Sequence, residues 1–271
     1  MEHQTQSSKE DRVLGVLLGL AAGDKNGGPT QMALRLANSL IQKQDYVWHH
    51  VAEQYLAWWQ EGAFDTGPVA AAVLKLLDED TPIEKAVAQV HREMGQKTAG
   101  CNPAHRAGPL AMAAFLDSSK LMHYGALEAA ITHWDPMAGE VAGSVVVLSR
   151  ALIEGTPWSQ ARQESGYGRH FKIERAFQVA DFKSLKSDGY APEVLKAAIY
   201  FLEEHDNFAS ALQASMAFAG PANYCPVLVG AIGGARWGAS AITPKLLAHV
   251  TQQETLRATA QQLAASWNEN T

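Results

Sequence analysis

Apolar side chains recur along this chain with the period of an α-helix. Ala33, Leu36, Ala37 and Leu40 stand at i, i+3, i+4 and i+7, so the segment after Thr30 buries one stripe and begins at the Gly27-Gly28-Pro29 turn. The same period predicts helices over 11–22, 49–61, 68–78, 82–95, 106–116, 124–132, 138–154, 191–204, 208–218 and 226–238. Glycine, proline and polar residues punctuate the gaps, and runs of Val, Ile and Thr alternating with polar residues are scarce. The chain is therefore read as an all-α protein. The stretch 160–189, with Gly166-Tyr167-Gly168 and mixed charge, is the least regular and is expected to be a surface excursion or lid. With no internal repeat or linker, residues 1–271 are read as a single domain and 1–10 as a flexible tail.

The helix after Pro226 carries Gly230, Gly233, Gly234 and Gly238 among Ala and Val. Glycine weakens a helix, so a run of them needs a compensating contact; close approach of another helix is the expected one.

Composition narrows the function. A hydrophobic content of 47% over 271 residues is enough for a substantial core. The net charge of -6, with Lys and Arg scattered, offers no stripe for a nucleic-acid backbone and no polybasic membrane patch, so neither partner is expected. The apolar run Val13 to Ala22 is broken by glycines and reaches about half of the ~20 residues that span a bilayer. The stretch before it lacks a basic n-region, and two cysteines are too few for a disulfide framework, so a cytoplasmic address is expected. Nothing here indicates an oligomeric state.

Ordered blocks along the chain resemble one family. Gly15 to Asp24 looks like an opening helix ending in Gly-Asp, and Thr30-Gln31-Met32-Ala33-Leu34 like the end of a Thr-Asp-Asp-Thr-Gln-Met element. Phe64-Asp65-Thr66-Gly67 is similar to a Phe-Asp-x-Gly block, and Gly100 to Leu110 to a Gly-Asn-Gly-x-x-Met-Arg-x-x-Pro-Leu block. Thr132-His133-Trp134-Asp135-Pro136 looks like a Thr-His-x-His-Pro loop, Gly189-Tyr190-Ala191 stands in place of Gly-Tyr-Val, and Ala219 to Ala235 forms a second motif backed by small residues. From about Val13 to about Leu247 the chain thus resembles the ADP-ribosylglycohydrolases, which include dinitrogenase-reductase-activating glycohydrolase. The resemblance implies an all-α, orthogonal multi-helix bundle and cleavage of ADP-ribose from its acceptor with two magnesium ions.

The ligands for those ions are missing. Where the family has three consecutive oxygen ligands this chain has Gly27, Gly28 and Pro29, and the shortened loop after Asp24 removes a glutamate position. In the second motif Pro221 replaces an aspartate and Asn223 stands where another is expected. Two adjacent dications need several carboxylates, so no magnesium and no other cofactor is expected. A softer zinc site from Cys101, Cys225, His105 and His133 matches no known spacing; the cysteines read as buried packing thiols, with a nucleophile activated by a histidine as the remaining alternative.

Polar groups remain that fit a ribosyl compound. Cleavage at an anomeric carbon passes through an oxocarbenium-like state, which a carboxylate can stabilise without metal. The resemblance places Asp65 near the ribose, making it the first catalytic candidate, with Asp135 second and His133 as donor to a phosphate or leaving group. Asp24 and Asp65 are read as closing helices beside glycines, where capping competes evenly with function; a capping role competes equally for His133. Asn26, Thr30, Gly67, Cys101, Asn102, His105, Asn223, Tyr224 and Cys225 complete the substrate-binding candidates, and Trp134 offers a stacking face. Arg106 reads as a structural ion-pair partner in preference to a phosphate clamp.

Three readings follow. The first is a glycosidase acting on an N-ribosyl or ADP-ribosyl compound without the dimagnesium centre. A catalytically inactive binder of ADP-ribose or a nucleotide is the second. The third is a purely structural use of the fold, as in jellyfish crystallins, which the retained polar loops argue against.

Overall fold

The computed structural model describes residues 7–178, 181–222 and 224–267. Among them the chain runs through α1 (Lys9–Gly23), α2 (Gly28–Lys43), α3 (Trp48–Gln60), α4 (Pro68–Asp78), α5 (Ile83–Glu93), α6 (Asn102–Arg106), α7 (Gly108–Met112) and α8 (Leu121–Ala129). It continues through α9 (Pro136–Glu154), α10 (Trp158–Gly166), α11 (Phe171–Phe177), α12 (Ala191–Glu204), α13 (Phe208–Ala219), α14 (Cys225–Trp237) and α15 (Gln253–Ala265). The described residues contain no strand, only an isolated bridge between Gly100 and Tyr190.

Helix α1 runs through the middle of the bundle against α14, α15 and α9. Its contact with α14 is made of backbone. A β-carbon on Gly15 would overlap the carbonyl of Gly234, one on Gly19 that of Gly230, and one on Gly23 that of Pro226; Gly230 and Gly234 face the same exclusion from the other side. The small-residue helix thus packs as expected, and its closeness sets the Gly23-Asp24 corner beside Cys225-Pro226, joining the two motifs. Helix α9 is long and apolar enough to cross a membrane by composition, but most of it is buried as a core helix.

Several boundaries differ from the sequence reading. The single helix expected over 106–116 is two short ones, α6 and α7, because Pro109 lacks an N–H and its ring displaces the carbonyl four residues back. Segment 160–189 is more regular than expected: its described residues carry most of α10, all of α11 and a 3-10 turn, with Phe177 packed so closely over Gly166 that a β-carbon there would sit 2.8 Å from it. Helix α15 went unread, although Leu256, Thr259, Ala260, Leu263 and Ala264 form a buried stripe. Order also begins inside the expected tail: Ser8 caps the helix by accepting from the Asp11 amide at 3.1 Å, so Lys9 and Glu10 form its first turn.

Candidate active-site cleft

A cleft of about 480 Å³ opens where the starts of α2, α4, α6 and α14 meet the 189 loop. Cys101 donates its amide to the Gly189 carbonyl at 3.1 Å, and Ala191 donates to Ala99 at 2.9 Å, which ties that loop to the entry of α6. Of the residues singled out in the sequence, Asn26, Asp65, Gly67, Cys101, Asn102, His105, His133 and Tyr224 line this one cleft. Asn223 lies outside the described residues.

Asp65 does not close a helix. It sits in the loop between α3 and α4 in a left-handed conformation, φ 50°, which costs a non-glycine residue free energy. Gln44, Asp80 and Gln96 share that conformation but occupy the ordinary place for it, just past helix ends. The Asp65 carboxyl is held above its usual pKa of 3.8 by desolvation first and by the neighbouring Asp24 charge second; donation from the Asn26 side chain and the Gly28 amide opposes the shift. Its loop lies so close to α2 that a β-carbon on Gly28 would overlap the Asp65 carbonyl.

Asp24 has the opposite character. It is 3% exposed, and its carboxylate accepts from the amides of Asn26 (3.2 Å), Gly27 (2.9 Å) and Thr30 (2.9 Å) and from Thr30 Oγ1 (2.7 Å). The Thr30 amide is one of the otherwise unpaired donors of the first turn of α2, and Asn26 and Gly27 form the turn before it, so Asp24 closes the start of that helix and complements its dipole. Asp24 and Thr30 do not line the cleft but a separate 190 Å³ recess, which shares Asn26 with it. Cys225 is likewise buried at the start of α14 without lining the cleft. Asp135, the second catalytic candidate, caps α9 by accepting from the Met137 amide at 2.9 Å and is also outside the lining.

This arrangement does not fit two magnesium ions. Gly27, Gly28, Pro29 and Pro221 have no side-chain oxygen, and the Asp24 carboxylate is saturated by α2. Among the described residues no group of three or more His, Cys, Asp and Glu converges as a metal site, so the zinc alternative also lacks its ligand set. Burial raises the Cys101 thiol to about 12 and pushes Cys225 up as well, which leaves both protonated at neutral pH and removes the nucleophile alternative.

Arg106 is the structural hub that the sequence suggested. Its guanidinium is fully buried, pairs with Glu128 at 2.5 Å and lies 4.9 Å from the centre of the Tyr55 ring. It also orients the cleft. Nη1 donates to Asn102 Oδ1 at 2.7 Å, which turns the Asn102 amide nitrogen towards Gly67. Nη2 donates to Thr132 Oγ1 at 2.9 Å, and that hydroxyl shares a hydrogen bond with His133 Nδ1 at 2.8 Å. His133 is thereby held with Nε2 against Gly100 at the cleft wall. Sequence reasoning missed Thr132, because only the burial of Arg106 gives its hydroxyl a direction.

Both cleft histidines are neutral at physiological pH. Burial, with a smaller contribution from Arg106, holds His133 well below its usual value, so it donates a hydrogen bond but does not carry a proton to a leaving group as an imidazolium. Burial likewise depresses His105 to about 4, against opposing effects from Asp24 and the Tyr224 backbone. His105 Nε2 is buried at the cleft without a hydrogen-bond partner.

The all-α architecture is that of known proteins. A solved structure described as an ADP-ribosylglycohydrolase-related protein complex superposes with TM-score 0.78 at 23% identity, covering 96% of this chain and 99% of the other. Residues 28–271 match the family model for ADP-ribosylglycohydrolase, and the chain belongs to that family. It is also 23% identical over 270 residues to the ADP-ribosyl-[dinitrogen reductase] glycohydrolase of Rhodospirillum rubrum, covering 86% of this chain and 88% of that one.

Proposed function

We propose that the cleft binds the ribosyl part of an N-ribosyl or ADP-ribosyl compound and hydrolyses its glycosidic bond without the dimagnesium centre. One observation carries the reading: Asp65, His133, Asn102 and His105, drawn from distant parts of the chain, converge on one ligand-sized cleft, while the nearby Asp24 carboxylate is spent on the start of α2. Asp65 is the only carboxylate lining the cleft among the described residues. It supplies the negative charge that an oxocarbenium-like state requires and accepts a proton from the attacking water. Asn102 Nδ2 and His133 Nε2 hydrogen-bond to sugar or aglycone oxygens and fix the ring against Asp65.

The pH dependence follows from the raised Asp65 carboxyl. The working form is the carboxylate, so kcat/KM falls as pH drops through a midpoint above the usual aspartate range. Asp65→Asn tests the role: it keeps hydrogen-bonding capacity but removes the charge, so turnover is lost while binding survives. A protein that binds ribosyl ligands and turns none over, in wild type and variant alike, is instead an inactive binder.

A further inference from the structure

The proposal rests on the ribosyl reading above and concerns which ribosyl compounds the cleft accepts. No Lys or Arg lines it among the described residues, and Asn223 adds no charge. Lys25 lines the neighbouring recess and not the cleft, its ammonium committed to the Gly220 carbonyl at 3.4 Å, and Lys172 donates to Tyr190 Oη at 3.1 Å in another recess. The buried Arg106 guanidinium, which holds Asn102 from behind, is paired with Glu128.

Helix starts offer anions little in exchange. At the mouth of α2 the Gly28 amide is engaged by Asp65 and the Thr30 amide by Asp24. Helices α2, α4, α6 and α14 each carry proline in their first two positions, which removes a donor from every first turn facing the cleft. A phosphate entering here meets the Asp65 carboxylate, with Asp24 close behind, and finds neither cation nor metal to offset it.

The remaining groups suit an uncharged sugar. Asn26, Asn102 and His133 are neutral hydrogen-bonding groups, and the orphaned Nε2 of His105 is a buried polar atom that a ligand hydroxyl or N–H would satisfy. Tyr224, 40% exposed, presents a ring face beside Gly189.

We propose that the ligand is an N-riboside without phosphate groups whose aglycone carries a positive charge, held by Asp65 and by neutral hydrogen bonds from Asn102, His105 and His133. Water adds to C1′ as the C1′–N bond breaks. The electron pair passes to the aglycone nitrogen, which leaves neutral, and the water's proton passes to Asp65 and then to solvent. No group in the cleft needs to protonate the leaving group, in keeping with two neutral histidines.

Calorimetric titration of the full-length wild-type protein at pH 7.5, low salt and in EDTA tests it with nicotinamide riboside, its 5′-phosphate nicotinamide mononucleotide, the neutral riboside inosine, and ADP-ribose. Nicotinamide riboside is expected to bind at least tenfold more tightly than each of the other three. Equal or tighter binding of the mononucleotide or ADP-ribose overturns the exclusion of phosphate, and equal or tighter binding of inosine overturns the preference for a cation; either result sinks this inference and leaves the ribosyl cleft standing. Should none of the four bind, the ribosyl reading itself falls.

Discussion

Thr30 Oγ1 donates to Asp24 Oδ2 at 2.7 Å, which ties the residue that ends α1 to the first turn of α2. With the Thr30, Gly27 and Asn26 amides on the same carboxylate, the pair closes the start of α2 and complements its dipole. Gly27 is the helix N-cap at φ 96°, a conformation that favours glycine.

Asp24 should accordingly be a stability residue. Asp24→Ala removes the cap and strands buried donors, an expected loss of about 2 kcal/mol in denaturant unfolding. An unchanged midpoint, with activity lost and restored by millimolar magnesium, would mean that Asp24 serves an ion.

The α1–α14 contact predicts that Gly234→Leu destabilises the fold by about 3 kcal/mol or prevents folding, since a side chain there meets the Gly15 carbonyl and not a movable side chain. A melting temperature equal to wild type would contradict the packing.

Arg106→Met leaves Glu128 buried without its partner, and Glu128 Oε2 already lacks a hydrogen bond. The expected cost is about 3–5 kcal/mol. Because Arg106 also orients Asn102 and Thr132, surviving folded protein should show weakened ligand binding as well; normal affinity in a folded variant would show that the cleft is positioned by other contacts.

Acid should destabilise the protein through its cleft histidines. His105 titrates at about 4 folded against 6.5 unfolded, so the unfolded state binds the extra proton first. Its contribution is complete above the unfolded value and is lost as pH falls from there towards 4, roughly 3 kcal/mol at the limit. His133 acts in the same direction. Denaturant unfolding of His105→Gln between pH 7 and 4.5 should show a shallower decline than wild type; identical slopes would count against a neutral buried His105.

Much of this was legible in the sequence because it rests on periodicity and glycine spacing. The 3.6-residue stripes located most helices, and Gly230 and Gly234 announced a close helix contact that the α1 carbonyls explain. The cleft residues were legible as a set, since blocks in a fixed order carry their loops to the same place. What remained hidden depends on tertiary partners. Nothing local marks Asp24 as a cap and Asp65 as the accessible carboxylate; that division follows from which one meets the amides of α2. Asp135 was read as catalytic from its loop, yet a residue directly before a helix-starting proline is well placed to cap, and it does. Helix α15 was passed over because its small buried residues make a weak stripe until α1 and α2 lie against it.

The central claim is that Asp65, without magnesium, carries the chemistry of this cleft. Its most direct test is the rate of aglycone release from a bound N-riboside, measured for wild type and Asp65→Asn in EDTA and again with added magnesium. The account predicts turnover by the wild type that magnesium does not change, and loss of turnover with retained binding in the variant. Turnover that appears only with magnesium, or that Asp65→Asn leaves intact, would contradict it.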